Sequence, residues 1–169
     1  PIVFRGPNGT AGQLAATHGQ SFESMYASIP GLKVVTPFTP YEAKGLLKSA
    51  IRDNDPVLIM ESEKMYGDKG MIPEGEFLVP IGKCNIRRQG DAVTIVSFGK
   101  ILKTVHAAAD ALEKEGIEVE IIDLVTIRPL DLDTIVESIK KTNRFVIVEE
   151  SFPGASISSE IAYRVQRIA

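Results

Sequence analysis

The chain has little cysteine and no long apolar run. Its single cysteine, Cys84, excludes an internal disulfide framework and any multi-cysteine metal site. One thiol suits a reducing cell interior. The longest apolar stretches reach about half of a membrane span, so no transmembrane helix is expected. No block of like charge stands out: 19 basic against 22 acidic residues leave a formal net charge of -3. That balance excludes a polybasic nucleic-acid groove or membrane anchor. Internal repeats and low-complexity segments are absent, and no targeting segment is visible in these residues, which says nothing of a natural N-terminus further upstream. What remains is 169 residues, 44% hydrophobic and 24% charged, enough for one large domain or two small ones. Pro1 is not a start methionine, and Pro1 to Phe4 reads as a strand already under way. Glu160 to Ala169 stops inside an amphipathic pattern, so an internal piece of a longer protein is expected.

Two α/β stretches flank a connector. In the first, Gln20 to Ser28 reads as a helix with Phe22, Met25 and Tyr26 on one face, and Leu32 to Val35 as a short strand. Thr39 is the N-cap candidate of a helix with Pro40 at its first position and Glu42 in its first turn. Ala43, Leu46, Leu47, Ala50 and Ile51 recur at helical spacing. Pro56 to Met60 reads as a buried strand. Residues 61–89 carry Gly67, Gly70, Pro73, Gly75, Pro80 and Gly82, the composition of a long connector. Strands then follow at Ala92 to Ser97, Ile117 to Leu124 and Arg144 to Val148. They alternate with helices at Ile101 to Glu115, closed by Gly116, and Leu132 to Lys141. This order predicts right-handed crossovers and mostly parallel sheets. The division is 1–66, a connector at 67–89, and 90–169.

Several segments can carry chemistry. Gly6-Pro7-Asn8-Gly9-Thr10-Ala11-Gly12 is glycine-rich but lacks the Lys-Ser/Thr pair of a P-loop and the dinucleotide fingerprint. It leads to His18, which either relays protons or hydrogen-bonds a substrate, or else caps a helix or packs in the core. Ser49 to Pro56 ends a helix, where orphan carbonyls with Asp53 and Asp55 form hard oxygen ligands for a cation, or a solvated turn. Asp131 suits a helix N-cap. Glu149-Glu150 follows a parallel strand at its ligand-binding end and reads as a solvated pair by default. His106 reads as a helix-surface residue and Cys84 as structural.

Taken together, these segments resemble the β subunits of the pyruvate dehydrogenase E1 component, in the thiamine-diphosphate-dependent 2-oxo acid dehydrogenase family. The resemblance rests on Pro1-Ile-Val-Phe-Arg-Gly-Pro-Asn-Gly9, Ala16-Thr-His18-Gly-Gln20, Ser49-Ala-Ile-Arg-Asp-Asn54 and Met65-Tyr-Gly67. In the second half it rests on Pro80-Ile-Gly-Lys83, Asp123 to Pro129 and Val148-Glu-Glu150. It covers essentially the whole chain. It implies part of a pyrimidine-binding domain, then a transketolase C-terminal-like domain. It also implies thiamine diphosphate shared with an E1 α subunit that holds the diphosphate and Mg²⁺. The partners implied are that α subunit in an α₂β₂ heterotetramer, a second β subunit, the E2 dihydrolipoamide acetyltransferase, and pyruvate as substrate. His18 matches the family's active-site histidine. Ile2, Ala50, Asp53 and Asp55 match a structural K⁺ site, although the family often carries Asn at the position of Asp55. The activating glutamate of the family lies before Pro1, and no Gly-Asp-Gly diphosphate motif is present. The implied location is the cytoplasm in a bacterium, or the mitochondrial matrix or plastid stroma in a eukaryote. Branched-chain 2-oxo acid or acetoin dehydrogenases, a piece of transketolase or deoxyxylulose-phosphate synthase, and a non-catalytic α/β docking module are the alternatives.

Overall fold

A computed structural model describes residues 1–11 and 19–168. Short valine- and isoleucine-rich runs bounded by turns form two four-stranded sheets. In the first, β1 (Val3–Pro7), β3 (Val57–Glu61) and β2 (Lys33–Val35) are parallel, in that order. In the second, β6 (Val119–Asp123), β5 (Val93–Ser97) and β8 (Phe145–Val148) are parallel. Each sheet gains one antiparallel edge strand. β7 (Thr126–Arg128) pairs with β2, and β4 (Asn85–Arg88) pairs with β6. The mostly parallel expectation holds, and each antiparallel strand is an addition to it.

The helices follow their end signals. Helix α2 (Pro40–Arg52) opens on a reciprocal capping box: the Thr39 hydroxyl accepts the Glu42 N–H at 3.2 Å, and Glu42 Oε2 accepts the Thr39 N–H at 3.1 Å. Helix α3 (Leu102–Glu113) starts from a 3₁₀ turn at Gly99–Ile101, and Gly116 leaves it at φ 79°. Helix α4 (Leu132–Thr142) ends at Asn143 in the left-handed region. Helix α5 is Ile157–Ile168. Helix α1 is shorter than its pattern, only Glu23–Ala27, because Phe22 has a non-helical backbone and its N–H goes to Asn8 Oδ1.

The two halves share their core. Val34 and Met60 of the first sheet pack in one cluster with Val96, Phe98 and Ile122 of the second and with Ile127, Ile135 and Ile161. Separate clusters lie under α2 (Leu46, Val57, Ile59) and under α3 (Leu102, Val105, Ile121). Strand β7 carries the second half's chain across to the first sheet. Val125 turns it there in the left-handed region, held by its N–H to Asp123 Oδ1 at 3.0 Å.

Strand β4 lies where a connector is expected. It brings Arg87 under the N-terminus of α2, where the guanidinium bonds Glu42 and, at 2.6 Å, Asp123 Oδ2. Both carboxylates are essentially buried, and Arg87 also lies over the Phe38 ring. One cation from the connector thus joins α2 of the first half to β6 of the second. Burial pushes Asp123 up to about 7 against the pull of Arg87.

Candidate functional site

Parallel strands place their carboxyl ends on one side of a sheet, where α/β proteins gather polar groups. Here the carboxyl ends of both sheets meet. Asn8 and Gly9 follow β1, Thr36 follows β2, Glu61 and Ser62 end β3, Gly99 and Lys100 follow β5, and Glu150 follows β8. All of them line one small cleft together with Glu23.

Residues 8–10 and 20–23, on either side of the 12–18 stretch, are tied to this cleft. The Asn8 N–H donates to Glu61 O at 2.6 Å, and the Gly9 N–H donates to Gln20 O at 2.9 Å. Asn8 also accepts the Phe22 N–H at 2.8 Å and donates its amide to Glu23. Gly9 is required: its φ is 79°, and a Cβ there would meet the Glu150 carboxylate at 3.3 Å. Glu150 accepts the Thr10 hydroxyl at 2.7 Å and pairs with Lys100 at 2.8 Å. Lys100 in turn donates to Thr10 O at 2.8 Å. Residues on both sides of the segment are therefore tied to strand ends. His18 itself lies outside the described residues.

The cleft is acidic. Glu23 is 5% exposed, and its burial, reinforced by the nearby Glu149, pushes its carboxyl above the ordinary range. Glu61 pairs with Arg5 at 2.7 Å. Glu149 accepts the Ser158 N–H at 3.3 Å. The Glu149-Glu150 pair differs from its default reading as solvated. Glu150 is tied into the loop root, and one oxygen of Glu149 is buried. Sequence reasoning missed Glu23, Glu61 and Lys100, and marked Asn8 only as part of the glycine-rich segment. Glu61 and Lys100 stand at or just beyond strand ends, whereas Glu23 opens helix α1.

Ile2, Ala50, Asp53 and Asp55 converge on one turn. The Val57 N–H donates to Ile2 O at 3.0 Å, and the Asp53 N–H donates to Ala50 O at 3.2 Å. Asp53 accepts the Asp55 N–H at 2.9 Å. The Lys33 ammonium sits between both carboxylates, 2.7 Å from Asp53 and 3.1 Å from Asp55. Its hydrogen bond holds Asp53 below the usual carboxylate range. Among the described residues, no group of three or more His, Cys, Asp or Glu is arranged to hold a metal.

The remaining candidates are structural. His106 stacks on Phe38 with ring centroids 6.0 Å apart, and burial, then Arg87, lower its pKa. Cys84 is half-buried, and burial pushes its thiol far up, away from thiolate reactivity. Asp131 stands at the N-cap of α4, where its carboxylate accepts the Thr134 hydroxyl at 2.9 Å and the Cys84 N–H at 3.2 Å. Among the described residues, no helix is long and apolar enough to cross a membrane.

Two sheets sharing a core, with their carboxyl ends facing one polar cleft, define a two-unit α/β protein that presents loops from both sheets to a common site. Residues 82–169 match the family described as "Transketolase, C-terminal domain", and residues 1–69 match "Transketolase, pyrimidine binding domain". The chain belongs to the transketolase C-terminal domain family and carries a matching part of the pyrimidine-binding domain before it. Among curated relatives, the "Pyruvate dehydrogenase E1 component subunit beta" of Rhizobium meliloti is 53% identical, covering 100% of this chain and 37% of the relative. The mitochondrial subunit of the same name from Bos taurus is 50% identical over 98% of this chain and 47% of its own. The "Acetoin:2,6-dichlorophenolindophenol oxidoreductase subunit beta" of Cupriavidus necator is 46% identical over 100% and 50%. The chain thus spans about half or less of the curated relatives it matches. A solved "Split gene transketolase, inactive beta4 tetramer" superposes with a TM-score of 0.82 at 22% identity, over 98% of this chain and 53% of that one. At that identity the likeness shows the fold.

Proposed function

We propose that the chain is the β-subunit portion of a pyruvate dehydrogenase E1 component, which decarboxylates pyruvate oxidatively and passes an acetyl group to the lipoamide of E2. The observation that carries this reading is the 53% identity across the whole chain to a relative of that name. Met65-Tyr66-Gly67 and the lower identity to the acetoin relative favour pyruvate over neighbouring substrates.

In this reading the cofactor is thiamine diphosphate, which supplies the carbon chemistry when bound. The described residues do not fit its diphosphate or Mg²⁺: the cleft carries the carboxylates of Glu23, Glu61 and Glu150, and its cation Lys100 is paired with Glu150. Those groups belong to an α subunit, and this chain supplies the opposite wall and proton management. The assembly is then α₂β₂, with a second β subunit and E2 as further partners. Its location follows the source: cytoplasm in a bacterium, mitochondrial matrix or plastid stroma in a eukaryote.

The test is reconstitution. The 169-residue chain alone, given thiamine diphosphate and Mg²⁺, is expected to release no CO₂ from pyruvate. A full-length version with its α subunit is expected to do so, because the site needs walls from both subunits to position the reactants. Turnover by the isolated chain overturns the reading.

The same reading places a structural K⁺ at the turn of Ile2, Ala50, Asp53 and Asp55. Because Lys33 already pairs with both carboxylates, the ion is held through backbone carbonyl oxygens, as suits a weakly hydrated cation. KCl is expected to raise the melting temperature of the full-length subunit more than NaCl or choline chloride at equal ionic strength. At ~100 times the dissociation constant the gain is about 2.7 kcal/mol. Coincident curves in the three salts exclude the ion.

A further inference from the structure

Three side chains at the carboxyl ends of β2 and β3 are buried without a hydrogen-bond partner, among the described residues, for one polar atom each. They are Thr36 Oγ1, Glu61 Oε2 and Ser62 Oγ, on residues 2%, 7% and 6% exposed. All three residues line the same cavity of about 20 Å³. An unmade hydrogen bond at a buried hydroxyl or carboxylate is costly, so native interiors rarely leave one. Three in one cavity call for a common partner.

We propose that this cavity is a binding site for a single water molecule that bridges Thr36, Glu61 and Ser62. The volume suits it, since one water needs roughly 10–15 Å³ of such space. The chemistry suits it as well. The carboxylate oxygen accepts only, and each hydroxyl both donates and accepts, so one water makes three hydrogen bonds here. A metal ion is a poorer occupant. Three oxygens fall short of the roughly 6–8 that a hard cation such as Ca²⁺ takes. The Glu61 charge is also already met by Arg5 at 2.7 Å.

The site has a consequence for the cleft. Glu61 is held at one carboxylate oxygen by Arg5 and at the other by the water. Its backbone carbonyl takes the Asn8 N–H at 2.6 Å. The water therefore completes the packing of the residue on which the loop root at Asn8 rests. The competing partner is the Tyr66 phenol, which interacts with the Glu61 carboxylate.

High-resolution crystal structures of the full-length subunit in its assembly test this, for the unaltered protein and for Thr36→Ser, Thr36→Val and Tyr66→Phe. One density peak is expected within about 2.7–3.2 Å of all three oxygens in the unaltered protein. The peak should persist in Thr36→Ser and Tyr66→Phe and be lost or displaced in Thr36→Val. Direct bonding among the three side chains overturns the site, as does a Tyr66–Glu61 bond with no peak. So does a peak with more than four ligands, which marks a cation. If Thr36→Val does not fold, the unaltered protein and the other two variants still decide. These outcomes do not depend on the subunit's activity.

Discussion

Replacing Arg87 with alanine is expected to destabilise the protein by about 3–5 kcal/mol, the usual consequence of removing one partner from a buried ionic network. Its guanidinium stands between Glu42, 1% exposed, and Asp123, 0% exposed, so its loss leaves two buried carboxylates without their cation. Asn85 still reaches Glu42 at 3.3 Å, and the Val125 N–H still reaches Asp123 at 3.0 Å, but neither carries charge. The loss also has a pH signature. In the intact protein, burial raises Asp123 to about 7 although Arg87 pulls it down. Removing Arg87 raises it further. A carboxyl whose folded pKa is raised contributes stability that is fully present below its unfolded value near 4. That contribution is lost as pH rises through the folded value. The deficit of Arg87→Ala should therefore be smaller at pH 5 than at pH 8, by denaturant titration at both. A pH-independent deficit, or one below 1 kcal/mol, would show that the network does not hold the two halves together. The companion variant Arg87→Lys keeps the charge but loses the fork that spans two carboxylates, and should fall between the two.

Much of the fold can be read from local signals, because those signals act within a few residues. Thr39, Pro40 and Glu42 announce α2, and the structure shows the reciprocal bonds that such a triad forms. Gly116 marks the end of α3 through a conformation that favours glycine. What escapes is pairing decided at a distance. Strand β4 has only Ile86 as an apolar residue, 40% exposed, so no hydrophobic alternation marks it. It exists because β6 offers an edge and because Glu42 and Asp123 attract Arg87. Strand β7 is three residues long and joins the first sheet from the second half of the chain, and no periodicity encodes that choice. The cleft is legible in the same uneven way. The glycine-rich segment and Glu149-Glu150 stand out in sequence, whereas Glu23 and Glu61 look like ordinary charges at element ends. Only folding brings those carboxylates into one cleft, and burial there separates Glu23 from a surface carboxylate.

Under the proposed function, His18→Ala in the complete α/β assembly is expected to lower turnover by roughly 10²–10⁴, the range that positioned proton transfer contributes. A loss of about 10³ corresponds to roughly 4 kcal/mol in the activation barrier. Imidazole suits the role because its unperturbed pKa lies near neutrality, so it can both give and take a proton under working conditions. The substitution should be local in effect. The chain on either side of the 12–18 segment is fixed by bonds that do not involve His18: Asn8 to Glu61 and Phe22, Gly9 to Gln20, and Thr10 to Glu150 and Lys100. Thiamine-diphosphate affinity should therefore change far less than turnover, since the diphosphate anchors lie in the partner subunit. Decarboxylation and acetyl transfer to lipoamide need separate assays, because a proton carrier can serve one half-reaction and leave the other near its normal rate. A large drop in either, with cofactor affinity preserved, places His18 among the reacting groups. Near-normal rates in both would assign it a packing or capping role, and the proton chemistry of the site would then rest on other residues.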